Sequence, residues 1–150
     1  MSTPPLRYVV DASVGIKLFV REEFSEQAHA LFSHLAADPP AELHVPDLFY
    51  IECTSFLLKY ARRFGRSMDS SQADIADLRI LLLKPTSTAD LMEDALVLAV
   101  EKNLSAYDAS YAVLAKHLNI PLMTADEQLS KAMETAIFLG DFEIAPFEEK

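Results

Sequence analysis

Two hydrophobic periods alternate along this chain: short runs that are apolar almost throughout, and longer segments in which apolar residues recur every three or four positions. LRYVV (6–10), ELHV (42–45), PLMT (121–124) and TAIFL (135–139) read as strands, with ELHV ended by Pro46 and TAIFL followed by Gly140. The segment LLLKPTS around residue 84 is ambiguous between a helix end and a strand. Helical spacing is clearer. SEQAHALFSHLA (25–36) sets Ala28, Leu31, Phe32 and Leu35 on one face with Ser25 as N-cap, and DLFYIECTSFLLKYARRF (47–64) stops at Gly65, a residue suited to the position after a helix. Further helices fit SSQADIADLRILL, TADLMEDALVLAVEK and AYDASYAVLAKHL. Strands separated by helices, with the first strand and the run at 121 apolar throughout, imply a parallel sheet covered on both faces. The expected fold is a three-layer α/β/α domain around a central, mostly parallel sheet of four to five strands.

A chain of 150 residues has the length of one ordinary domain, and no Pro-, Ser- or Gly-rich tract, run of like charge or internal repeat divides it. Residues 1–150 are therefore expected to form a single domain. The opening MSTPPLRYVVDAS lacks the basic and apolar regions of a signal peptide, and no apolar stretch reaches the length of a bilayer span, so a cytoplasmic protein with no membrane partner is expected. Cys53, the single cysteine, has no partner for a disulfide or a thiolate zinc site and reads as a small core residue. A formal net charge of -10 argues against a general nucleic-acid coat or an anionic membrane surface, because phosphate binding is driven by clustered Lys and Arg. Phosphate binding through divalent cations stays open, and it needs the surplus of carboxylates that this chain carries.

In an α/β sheet, ligand sites form beyond the carboxyl ends of the strands, where the strand order reverses. Asp11 directly follows the first strand, and Asp126 follows LMT of the strand at 121. Glu52 lies in FYIECTSF among Tyr50, Ile51, Cys53 and Phe56. Asp108 falls in the first turn of its helix, with Tyr111 and Ala112 rather than Lys or Arg one turn on. A carboxylate in apolar company must be paired, metal-bound or at the mouth of a cleft, because an isolated buried charge is too costly. Each acid alone also has a structural reading. Asp11 with Ser13, and Asp126, fit helix caps; Ser105-Ala-Tyr-Asp108 fits a capping pattern; Glu52 fits an acceptor for a neighbouring helix end. Together, several carboxylates without His or Cys suit a hard cation, Mg²⁺ or Mn²⁺, which prefers oxygen ligands and retains waters. His29, His34, His44 and His117 show no zinc-like spacing.

VVDASVGIKLFVREEFSEQA, PDLFYIECTSFL and LSAYDASYAVLAKHLNIPLMTADEQL resemble, in this order, the successive motifs of PIN-domain ribonucleases, in particular the VapC-type toxins of prokaryotic toxin–antitoxin pairs. The resemblance runs from residue 6 to residue 142. It implies a metal-dependent endoribonuclease that hydrolyses RNA phosphodiester bonds. Position by position, it implies that Asp11, Glu52, Asp108 and Asp126 are the catalytic acids and hold one or two Mg²⁺ or Mn²⁺ ions. The hydroxyls of Ser13 and Thr124 are implied to line the same pocket. Cys53-Thr54-Ser55 departs from the small or aliphatic residues and Asn that often follow the glutamate, a change of pocket polarity that removes no ligand. A small antitoxin protein and a homodimer are also implied.

Residues that handle the substrate are less visible. KYARRFGR carries Lys59, Arg62, Arg63 and Arg66, which read either as an RNA or antitoxin contact or as a solvated helix end whose cations complement the dipole. Lys17 and Arg21, one and two turns into the first helix, are alternative phosphate contacts. Phe19, Phe24, Phe32, Phe49, Phe56 and Phe64 mostly recur at helical spacing and read as core or subunit-contact residues. A haloacid-dehalogenase-type phosphatase needs a second acid where Ser13 stands, and a response-regulator receiver needs adjacent acids near the start and a late Lys. With three glycines there is no G-x-G-x-x-G for a dinucleotide. The remaining alternative, a non-catalytic PIN-like binding or regulatory module, is disfavoured by the intact set of acids.

Overall fold

The computed structural model describes residues 4–144. Five strands, β1 (Arg7–Val10), β2 (Glu42–Pro46), β3 (Lys84–Thr86), β4 (Leu122–Thr124) and β5 (Ala136–Phe138), form one sheet in the order β3-β2-β1-β4-β5. Every pairing is parallel. The ambiguous segment at residue 84 is the edge strand β3, where Pro85 costs no ladder bond on its outer side. The three inner strands account for the near-continuous apolar runs, since a parallel sheet covered by helices hides both faces. Val9, Val10, Leu43, Val45, Leu122 and Met123 are all 0% exposed.

Among the described residues, seven α-helices surround the sheet: α1 (Ala12–Gly15), α2 (Ser25–Ser33), α3 (Leu48–Phe64), α4 (Met68–Ile80), α5 (Met92–Lys102), α6 (Ala106–Leu118) and α7 (Glu127–Ala132). The central one is α6. It packs on β1, β2 and β4 and is backed by α5. Ala109 through Ala115 are all buried, and the small side chains of Ala109, Ser110, Ala112 and Ala115 let the helix be enclosed on every side. By contrast, α3 buries only the stripe Phe49, Cys53 and Leu57, each four residues from the last. It therefore turns one face inward and leaves the rest of its surface outside the core. Among the described residues no helix is long and apolar enough to cross a membrane.

Some local expectations are corrected. Ser25 does not cap its helix: Phe24, with φ 67°, precedes it, while the Ser25 hydroxyl accepts from Glu22 N at 3.0 Å and donates to Val20 O at 3.3 Å. The hydroxyl is used by the preceding loop, so it is not free to receive the helix's own N–H groups. The first helix is a single turn, continued by a 3₁₀ turn over 16–18, in which Phe19 N and Val20 N both donate to Ile16 O. Burial of Val20 draws the chain inward at this point, and Arg21 lies beyond the helix rather than two turns into it. The phenylalanines also divide. Phe32 and Phe49 are core residues and Phe19 and Phe24 pack against the core, whereas Phe56 and Phe64 are exposed on α3. Cys53 is fully buried, as its reading as a core residue requires.

Gly15 is where α1 crosses α3. A Cβ at this position would stand 2.6 Å from Cζ and 2.8 Å from Cε2 of Phe49, a ring that is itself 0% exposed and has nowhere to move. Gly15→Ala should therefore destabilise the fold by about 1–3 kcal/mol, the usual cost of overpacking. A urea titration would read the loss as a lower midpoint, and an unchanged midpoint would show that α1 and α3 can separate freely.

Candidate active site

The sheet order reverses between β1 and β4, since the chain crosses from β1 to β2 on one side and from β4 to β5 on the other. A crevice forms beyond the carboxyl ends of two such neighbours. Val10 pairs with Met123 across them, so the turns after the two strands open side by side. Asp11 occupies the first turn and Asp126 the second.

Hydrogen bonds lock these turns together. Asp11 caps α1, accepting from Val14 N at 3.3 Å and from the Ser13 hydroxyl, and is 4% exposed. Ser13 Oγ in turn accepts from Ala125 N at 3.0 Å, joining the turn after β1 to the turn after β4. Thr124, at the end of β4, is fully buried, and its hydroxyl accepts from Asp126 N at 3.1 Å. Asp126 Oδ1 caps α7, accepting from Gln128 N at 2.9 Å and Leu129 N at 3.2 Å. Capping and site-forming are thus compatible for both aspartates: a cap uses part of the carboxylate and fixes the rest in direction.

The other two acids arrive on helices. Asp108 lies in the first turn of α6, where Ser105 Oγ accepts from its backbone N at 3.0 Å, and its side chain is half-buried. Glu52, also half-buried, accepts from the Tyr111 hydroxyl at 2.7 Å through Oε1. Tyr111 is 1% exposed and stands one helical turn after Asp108. It ties α6 to α3 through Glu52, a role that sequence reading did not assign. The clue was there: position i+3 from Asp108 shares its face of the helix, and a buried phenol needs a partner.

The electrostatics follow from enclosure. Burial raises Asp11 from its usual 3.8 to about 6, with the Ser13 and Thr124 hydroxyls opposing the rise and the Asp108 charge adding to it. Glu52 is also raised, first by burial, with the Tyr111 hydrogen bond lowering it and the Asp108 charge raising it. Asp108 is raised by burial and by the Asp126 charge, against the hydrogen bond from Ser105. Asp108 is thus the acid coupled to all three others. The Cys53 thiol is pushed far up by burial and by the Glu52 and Asp11 charges, which keeps it neutral.

Outside these acids opens a cleft of about 650 Å³, lined by Ser13, Glu52 and Asp126 together with Lys17, Glu22, Lys59 and Tyr107. Among the described residues no Lys, Arg or His forms an ion pair with Asp11, Glu52, Asp108 or Asp126. Nor do any three His, Cys, Asp or Glu side chains among them stand close enough together to hold a metal ion as they are arranged. The basic cluster is divided. Lys59 lines the cleft, Arg66 bonds Asp74 of α4 at 2.6 Å, and the guanidinium of Arg63 lies 5.3 Å from the Phe64 ring centre.

Because folding raises the pKa of Asp11, its neutral form favours the folded chain. That contribution is fully present below about pH 4 and is lost as pH rises through about 6, and it amounts to about 3 kcal/mol at most. Asp11→Asn keeps a capping side chain but cannot ionise. In chelator, its stability advantage over the native chain should be near zero under acid conditions and grow to about 1–3 kcal/mol once pH is well above 6. A difference that does not vary with pH would remove Asp11 as the strained acid.

The chain matches the PIN domain family over residues 8–134. The ribonuclease VapC3 of Pyrobaculum aerophilum is 36% identical over 128 residues, which cover 84% of this chain and 94% of that protein. The ribonuclease VapC9 of Mycobacterium tuberculosis is 34% identical over 122 residues, covering 81% and 87%. Among solved structures, PAE2754 from Pyrobaculum aerophilum matches with a TM-score of 0.68 at 28% identity, over 91% of this chain and 93% of that one. VapC20 of Mycobacterium tuberculosis, a toxin that cleaves the sarcin-ricin loop, has the same fold, with a TM-score of 0.60 at 22% identity over 84% and 94%. The family match begins in β1, ends just past α7 and takes in all four acids. This chain belongs to the PIN-domain family, among the VapC ribonucleases.

Proposed function

We propose that this protein is the toxin of a toxin–antitoxin pair, an endoribonuclease that cuts RNA with Mg²⁺ or Mn²⁺ held by Asp11, Glu52, Asp108 and Asp126. One observation carries the metal reading: these acids gather about the sheet's switch point, burial and mutual repulsion raise three of them, and no protein cation answers any of the four among the described residues. Such a set lacks a positive charge. Its donors are all oxygens, which fits a hard divalent ion, and Mg²⁺ retains several waters and commonly takes only one or two carboxylates directly. The four need not all stand at ligand distance. When bound, such an ion supplies the Lewis acidity that activates water and neutralises the phosphate.

The chain's own residues supply orientation. Ser13 and Thr124 hold Asp11 and fix the two turns against each other, and Tyr111 aims Glu52 from a buried position. Caps on α1 and α7 limit the motion of both aspartates. Groups held this way need little reorganisation when substrate arrives. The reading includes a small antitoxin protein and a homodimer as partners. Phe56, Phe64, Leu96, Val97 and Val100 are exposed apolar surface that such partners would cover.

The test is cleavage of a pool of structured RNAs by purified protein with Mn²⁺ or Mg²⁺, with chelator, and with Asp108→Asn. Cutting should require the metal, weaken under acid conditions where protons compete with the metal for the carboxylates, and drop by about 100-fold or more in the variant. Cutting that persists in chelator, or that Asp108→Asn leaves unchanged, would overturn the reading.

A further inference from the structure

Lys17 is the only buried Lys or Arg among the described residues, 8% exposed. Enclosing an ammonium group is costly unless a partner is held against it. Here Glu22 Oε1 lies 2.8 Å from Lys17 Nζ. The loop that carries Glu22 is itself pinned, because Glu22 N donates to Ser25 Oγ and Ser25 Oγ donates to Val20 O. Phe24 completes the loop in a left-handed conformation, φ 67°, that a bulky residue adopts only when its surroundings impose it.

The position of this pair suggests a use. Lys17 and Glu22 line the acid cleft together with Glu52, Asp126 and Lys59. The same two residues line a second cleft of about 710 Å³, whose other polar walls include Arg21, Glu26 and His29. The ion pair therefore stands on the wall that the two clefts share. A strand that placed one phosphate at the acids would meet strong repulsion unless a cation received the neighbouring phosphate, and Lys17 is a compact, rotatable donor set beside them.

Resting on the ribonuclease reading above, we propose that Lys17 binds the RNA phosphate next to the scissile one, and that the strand passes over it from the acid cleft into the second cleft. Glu22 is the positioning residue. It holds the ammonium in place when RNA is absent and yields it when phosphate arrives. The contact is made to backbone and is independent of base sequence.

The experiment measures binding of a fluorescein-labelled single-stranded RNA to the full chain by anisotropy, in chelator and across a KCl series, so that binding is read without cutting. Lys17→Met keeps the aliphatic stem and removes the charge. It should weaken binding about tenfold at low salt and reduce the salt slope by about 0.7, the loss of one phosphate contact on a single strand. Lys17→Arg should retain the native slope. Glu22→Gln should also retain it, since the cation remains, while lowering kcat with little change in KM. If Lys17→Met fails to fold, the double variant Lys17→Met with Glu22→Leu replaces the pair by apolar groups, a change that buried pairs often tolerate, and serves in the same measurement. A folded Lys17 variant with native affinity and native slope would overturn the proposal. Absence of metal-dependent cutting by the native chain would count against the ribonuclease reading, whereas native RNA binding that ignores Lys17 counts against this inference alone.

Discussion

Burying Asp11 without a counter-cation disfavours its ionised form, and the hydroxyls of Ser13 and Thr124 offset only part of that penalty. Much of the surrounding architecture bears on this one carboxylate. Both of those hydroxyls also accept backbone N–H groups from the turn after β4, so satisfying Asp11 and aligning the two central strand ends are the same set of bonds. The nearby charge of Asp108 adds to the penalty, and Glu52 and Asp126 are coupled to it through Asp108. Without a counter-cation, the four acids are a concentration of negative charge that the fold tolerates.

The rest of the molecule makes that tolerance possible. An all-parallel sheet enclosed by helices supplies an apolar frame stiff enough to keep like charges near one another. The small residues of α6 let the helix run against β1, β2 and β4 and bring Asp108 to the crevice at its first turn. Tyr111, one turn later, ties α6 to α3 through Glu52, while Gly15 lets α1 approach Phe49 of α3. Backbone packing and the placement of the acids are therefore one problem: separating α3 from α6 or α1 would move Glu52 out of register with the aspartates.

This division explains what was legible in the sequence. Elements with a strong period, such as the strand before Asp11, the Gly65-terminated α3 and the buried α6, are set by local patterning and were readable, as was the parallel class of the sheet. The four acids stood out because each is a charge in apolar company or at a strand end. Features set by tertiary context were not readable. Ser25 looks like a cap but serves the loop behind it, and the first helix ends after one turn because Val20 is drawn into the core. The edge strand β3 contains a proline and only three residues, too little to show a period. Tyr111 and Lys17 were visible as residues, yet their partners, Glu52 fifty-nine positions away and Glu22 across an irregular loop, are long-range or loop-dependent facts.

On the proposed reading, these acids form a cation site whose ligands give up protons when it fills. The most direct measurement is calorimetric titration of the metal-free protein with Mn²⁺ at pH 6 in two buffers of different ionisation enthalpy. Binding should be accompanied by proton release that fades as pH rises, and it should be weakened in Asp108→Asn. Absence of Mn²⁺ binding, or binding that Asp108→Asn leaves intact, would contradict it.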